Sequence, residues 1–214
     1  MNTTITRGML VACVLLFQTH VSAQDKEWKT ATSKDGKVTA KYYFGTRVNE
    51  EGDKVPEINA VTIATVDMDI GNCISLMKNV SKHKEFRGEK SSELIKTISE
   101  NAWVIYYYND KTLVTPAVDG AYLMEYENNP GGKQAIFRII ADPALTEKTG
   151  ATRMTHAREV YTFQELENGQ LEVTIKTTTS PGFKVPSFFL KRAFPGKLFD
   201  TMERFITCAR MEKP

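Results

Sequence analysis

The chain has 214 residues, with 28 lysines and arginines against 26 aspartates and glutamates and a formal net charge of +2. A balance this even, with the two signs interspersed, excludes a polybasic face for nucleic acid or for an anionic membrane. The cysteines fall at no zinc-ligand spacing, and there is no HExxH pair, P-loop or GxGxxG run, so no metal and no cofactor is expected.

The first residues read as a targeting segment. Arg7 supplies a positive start, Gly8 to Phe17 form an apolar run too short to span a bilayer, and Val21-Ser22-Ala23 brings small residues to a cleavage point. Residues 1–23 are therefore expected to be a removed signal peptide, with 24–214 a single domain exported to a periplasmic or extracellular space. Leu10-Val11-Ala12-Cys13 has lipobox-like chemistry, but the stretch between Arg7 and Cys13 is too short for that kind of signal. Cys73 and Cys208 then remain, either as one disulfide or as two ordinary buried thiols.

Trp28 lies on a short opening segment with some helical character. Lys37 to Phe44 alternates as a strand does, and the polar turn Asn49 to Lys54 leads into a second strand, Glu57 to Thr65. Asp67 or Asp69 is placed to cap a helix carrying Ile70, Cys73, Ile74, Met77 and Val80, with His83 to Phe86 as a short continuation. From there the texture is β. Ser92 to Ile98 and Trp103 to Tyr108 form a hairpin around Glu100-Asn101, and Ala121 to Glu127 joins Lys133 to Ala141 through the turn Asn128 to Gly132. Thr152 to Gln164 joins Leu171 to Thr178, with Asn168-Gly169 as the hairpin signal.

Ser180-Pro181-Gly182 ends the sheet region, and Pro186 stands where a helix tolerates proline best, at its first position. Beyond it Phe194, Leu198, Met202, Phe205, Ile206 and Ala209 share one stripe at helical spacing. Pro195 breaks or kinks that helix near Phe194. Strands joined as hairpins, followed by one long amphipathic helix, predict an α+β fold in which an antiparallel sheet grips the helix. Such a pair can enclose a cavity, which points to binding of an oily small molecule.

With its elements in that order, the chain resembles the START (StAR-related lipid-transfer) superfamily of helix-grip domains from Trp28 to Arg210. Trp28 with Asp35-Gly36-Lys37-Val38 is similar to the family's opening tryptophan and first strand. Thr115-Pro116-Ala117-Val118-Asp119 looks like its Pro…Arg-Asp loop, with Val118 where arginine is common. Pro181-Gly182-Phe183-Lys184-Val185-Pro186-Ser187-Phe188-Phe189 looks like the lead-in to its last helix, with phenylalanine where tryptophan is frequent. The resemblance implies an elongated apolar tunnel between a curved sheet and the last helix, holding one lipid or other hydrophobic ligand that is bound or transported. It implies a binding protein, not an enzyme, and at most transient membrane contact by a monomer. The rival it allows is a cyclase/aromatase- or hydrolase-like enzyme on the same scaffold.

Strand alternation then nominates the ligand surface. Tyr122, Met124 and Tyr126 face inward, with Leu123, Glu125 and Glu127 outward. Tyr106 and Tyr108 alternate with Trp103, Ile105 and Tyr107, so one face is aromatic whichever set points in. Tyr106 and Tyr108 are taken as candidates, with Phe137 and Ile175 from neighbouring strands and Phe194, Leu198 and Met202 from the helix. Arg153, in a strand-like run, is the candidate anchor for a phosphate or carboxylate head; Arg138 and Glu159 are charges in similar runs. The plainer reading is a core in which these rings only touch one another. His83 and His156 suit surface or hydrogen-bonded roles. The segment Thr115–Gly120, with hinges at Pro181-Gly182 and Pro195-Gly196, is expected to move when the cavity opens.

Overall fold

The computed structural model describes residues 27–213, apart from 114, 130 and 148. The expected signal peptide lies outside the described residues. The first strands are β1 (Lys29–Thr32), β2 (Val38–Val48) and β3 (Lys54–Val66). Helices α1 (Ile70–Lys78) and α2 (His83–Arg87) follow, and then β4 (Ser91–Ser99), β5 (Ala102–Asn109), β6 (Val118–Asn128) and β7 (Gln134–Ala141). β8 (Thr152–Arg153), β9 (His156–Glu165) and β10 (Leu171–Ser180) complete the strands, and α3 (Ser187–Ala193) and α4 (Gly196–Met211) close the chain.

All ten strands form one curved sheet in the order β1-β2-β3-β10-β9-β7-β6-β5-β4, antiparallel throughout that path, with β8 beside β6 in parallel. β10 pairs with β3, so the amino-terminal hairpins are stitched to the last strand. The expected α+β helix-grip architecture is what the chain adopts.

Each helix starts and stops for a local reason. Asp69, one of the two aspartates expected to cap α1, accepts a hydrogen bond from the Gly71 amide at 2.6 Å and so satisfies an otherwise unpaired donor. α2 ends in Gly88, whose φ of +72° few other residues adopt. The last helix is in two pieces, as Pro195 predicts. Phe194 is extended (φ −99°, ψ 143°), the conformation that a following proline favours, and α4 begins one residue after Pro195.

Three expectations need adjustment. Trp28 precedes a strand, not a helix, and packs edge-on against Tyr43 with centroids 4.6 Å apart. The strand expected from Thr152 to Gln164 is divided at Met154 and Thr155, because β8 leaves to pair with β6 while the rest joins β7 and β10. Pro186 is the residue before α3, not its first helical residue. Cys73 and Cys208 are both unpaired, buried thiols, and burial pushes the Cys73 thiol up to about 12.

Pairing across the sheet lines up three rows of side chains under the helices: Tyr42–Ala60–Thr177–Glu159–Ile139–Met124–Trp103, then Ala40–Thr62–Ile175–Tyr161–Phe137–Tyr126, then Val38–Ala64–Val173–Phe163–Ala135. Large rings sit on β9, β7 and their neighbours, and Phe205 of α4 drops among them. It stacks on Phe163 at 5.6 Å and meets Phe86 edge-on at 5.1 Å. Burying Phe205 completely contributes about 1.5–3 kcal/mol. On β2, β3 and β10 the same rows carry mostly alanine, threonine and valine, with Tyr42 and Ile175 as the larger members.

Candidate ligand-binding site

The space under α4 is divided accordingly. Among the described residues, the long tunnel that the resemblance implies is in this structure a half-open cleft of about 140 Å³, because aromatic rings occupy the rest of the interior. Its floor is Thr62, Ile175 and Thr177, and its roof is the start of α4, with Lys197, Leu198 and Thr201. Its end wall is charged: Arg87, Glu89 and Glu159.

That wall is built by the tight stop of α2. Gly88 turns the chain through the left-handed region, so Arg87 and Glu89 on either side of it both reach inward. A Cβ at Gly88 would also come within 2.7 Å of the Arg204 guanidinium, so the position demands glycine for its φ and is crowded besides. Arg87 forks onto Glu159. Its Nη2 donates to Oε1 at 3.0 Å and its Nη1 makes a very short bond to Oε2, with a longer 3.3 Å contact to the Tyr161 hydroxyl. Its Nε donates to Glu89 Oε1 at 3.0 Å. The guanidinium lies 4.3 Å from the centroid of the Tyr107 ring, within cation–π range. Tyr161 donates to Glu159 Oε2 at 3.0 Å.

His83 completes the network. Its Nε2 lies 2.8 Å from the Met77 carbonyl, an acceptor only, so Nε2 carries the proton and Nδ1 accepts from the Tyr107 hydroxyl at 2.7 Å. Burial holds this imidazole down to about 4, aided by the charge of Arg87, so it is neutral near pH 7. Burial also works to raise Glu159, but Arg87 and the bonds from Arg87 and Tyr161 prevail and keep its carboxyl below the usual range. Glu89 is pushed up, by burial first and by Glu159 next, with Arg87 only partly offsetting them. Lys197 is pushed down by burial of its ammonium and by the nearby Arg204.

Of the ten candidate positions, Ile175 and Leu198 line the cleft. Tyr122, Met124, Phe137 and Met202 are on the same face but inside the packed core. Phe194 sits at the α3–α4 break, edge-on to Phe44 at 5.6 Å and beside Tyr42 at 6.3 Å. Tyr106, Tyr108 and Arg153, expected at the ligand surface, belong instead to the opposite face of the sheet. Ile105 and Tyr107 take the inward places on β5, and Tyr108 pairs with Asp119.

Arg153 is fully engaged there. Its Nε and Nη2 grip Asp119 at 2.8 and 3.0 Å, and its remaining donors reach the Pro143 and Glu147 carbonyls and the Thr146 hydroxyl. Asp119 also accepts from Tyr106 at 3.0 Å and Thr149 at 2.7 Å, so the cluster ties residues 142–153 to the sheet. An arginine with its donors occupied in this way offers none to a head group. Arg138 pairs with Glu127 on the surface at 2.7 Å. Of the segment expected to move, Val118, Asp119 and Gly120 are strand, and a Cβ on Gly120 would meet the Tyr122 ring at 2.5 Å.

Residue-by-residue reading missed Arg87, Glu89 and Lys197 as wall and roof. Glu159 stood out only as a charge in an apolar run. The alternation Ala157, Glu159, Tyr161, Phe163 was the available signal, because it places the carboxylate on the aromatic face. Among the described residues there is no group of three or more His, Cys, Asp or Glu side chains placed to hold a metal ion.

No protein-family model matches the chain, and no curated protein matches it by sequence. Solved structures do. The STAR-related lipid transfer protein of Xanthomonas axonopodis is 19% identical and superposes with a TM-score of 0.69, over 86% of this chain and 99% of that one. Human STARD10 is 14% identical with a TM-score of 0.64, over 85% and 72% of the two chains. Human StAR-related lipid transfer protein 5 is 13% identical with a TM-score of 0.63, over 86% of each. The fold is thus START-like.

Proposed function

We propose that this protein, which has a START-like helix-grip fold, binds one lipid-like molecule between α4 and the β2–β3–β10 part of the sheet, outside the cytoplasm and without transforming it chemically. The observation that carries this reading is the cleft itself. It has a floor of small side chains and Ile175, a charged end wall and a roof made by the start of α4, which follows a break in the helix. The solved structures of like fold, whose names denote lipid transfer, lend support.

At about 140 Å³ the cleft is smaller than the roughly 300–1,000 Å³ usual for a small-molecule site, so a guest enters by lifting its roof. The anatomy favours that motion. Met202, Phe205 and Ala209 fix the later turns of α4 in the core, whereas Lys197, Leu198 and Thr201 remain partly or largely exposed beyond the Phe194–Pro195 break. Burying chain contributes about 0.8 kcal/mol per methylene, so fourteen carbons offer roughly 11 kcal/mol against the costs of opening and ordering.

Native mass spectrometry of the purified protein, followed by organic extraction and titration with a fluorescent long-chain probe, tests the reading. A one-to-one complex that disappears in Leu198→Asp, with circular dichroism unchanged, is the expected result. A folded wild-type protein that retains no molecule and takes up no chain probe overturns it.

A further inference from the structure

The charged wall leaves one buried atom without any hydrogen-bond partner among the described residues, and it is an acceptor. Arg87 directs four of its five N–H donors to Glu89 Oε1, both oxygens of Glu159 and the Tyr161 hydroxyl. Glu159 Oε2 accepts from Tyr161 as well. Glu89 is different. Its side chain keeps 12% of its accessible surface, its Oε1 is taken by Arg87, and its buried Oε2 is reached by no donor among the described residues. A buried carboxylate oxygen without a donor is costly, and such groups ask for a partner.

The surroundings define that partner. One guanidinium faces two carboxylates, so the wall carries an excess of negative charge. Thr62 and Thr177 on the floor carry hydroxyls that both donate and accept and therefore do not select. Thr201 already donates to the Lys197 carbonyl at 2.9 Å. Among the described residues, Lys197 is the only other cation lining the cleft, and it stands in the roof.

We propose that the head group of the bound molecule is a hydrogen-bond donor without negative charge, a hydroxyl or an ammonium, and that Glu89 Oε2 is its acceptor. This rests on the binding function proposed above and reverses the anionic head expected from Arg153. A carboxylate or phosphate at the wall would set its oxygens against Glu89 Oε2, beside a guanidinium whose charge two carboxylates already share.

Displacement of a bound fluorescent chain probe by four twelve-carbon competitors tests this: dodecanol, dodecylamine, dodecanoate and methyl dodecanoate. In wild type the alcohol and amine should compete roughly tenfold better than the acid and the ester, the discrimination expected when a buried acceptor is filled or left empty. Glu89→Leu should remove that advantage. Glu89→Gln keeps an oxygen for Arg87 and puts an amide donor in place of Oε2, so it should turn the preference toward the ester. Tightest binding by dodecanoate would place the head at Lys197 and overturn the proposal. An alcohol preference that survives in Glu89→Gln also overturns it. Failure of all four to displace the probe from folded wild type would reject the binding reading itself.

Discussion

The two halves of the sheet's inner face are covered by the same helices yet are packed differently. On β9, β7, β6 and β5 the inner face carries Tyr161, Phe163, Phe137, Tyr122 and Tyr107, and Phe86 and Phe205, both fully buried, pack over them. On β2, β3 and β10 the same face carries Ala40, Ala60, Ala64, Thr62 and Thr177 beside the larger Tyr42 and Ile175, and the start of α4 bridges the space the small residues leave. Side-chain volume, not backbone course, decides where the sheet is solid and where it holds room. Ring packing is concentrated in the aromatic half and open space in the small-residue half, with the Arg87 network along the seam.

Breaking the seam has the largest expected effect. Arg87→Leu strands Glu159 and Glu89 as buried charges, and should cost about 3–5 kcal/mol in the urea midpoint. Removing both carboxylates together with Arg87, as a triple leucine variant, should recover most of that loss. A single variant as stable as wild type would show that the seam does not hold the halves together.

The aromatic half should also give the protein its acid sensitivity. His83 is neutral in the fold with its pKa depressed to about 4, against 6.5 for the unfolded chain. Between these values the unfolded state binds the extra proton, so stability rises with pH through the window and falls as pH drops. The full excursion is about 3 kcal/mol. Thermal melts from pH 7 to 4 should show this decline, and His83→Gln should flatten it. A slope unchanged in the variant would assign the sensitivity to other groups.

A smaller penalty marks the edge of the aromatic half. Gly120→Ala places a methyl against the buried Tyr122 ring, an overpacking worth about 1–3 kcal/mol. Relief would require Tyr122 to swing out of its contact with Tyr107, now at 5.1 Å between centroids. The near-ultraviolet tyrosine signal should report that motion.

The fold was more legible than the site. Hairpin signals, the Asp69 cap and the Pro195 break are local properties of a few neighbouring residues, and they were all readable in the chain. Which of two alternating sets faces inward on β5 is not local. Tyr106-Tyr107-Tyr108 offers a ring to either face, and the decision was made by Asp119 and Arg153 capturing the outer one. The charged wall was harder still, because Arg87 and Glu159 stand 72 positions apart and meet only when β9 passes under α2. Glu89 reads as an ordinary solvated loop residue until Gly88 turns it inward.

The smallest stability change tests the other half. Thr177→Leu adds volume where the structure has room, so it should alter stability by no more than about 1 kcal/mol, in contrast to the smaller enlargement at Gly120. The added methyls would occupy the floor beside Ile175 and Leu198, and binding of the chain probe should fall steeply. Loss of stability comparable to that of Gly120→Ala would mean the small-residue half is as tightly filled as its neighbour. Unchanged probe binding would place the guest elsewhere. Only a variant that is both stable and unable to bind separates holding the fold from making room for a guest.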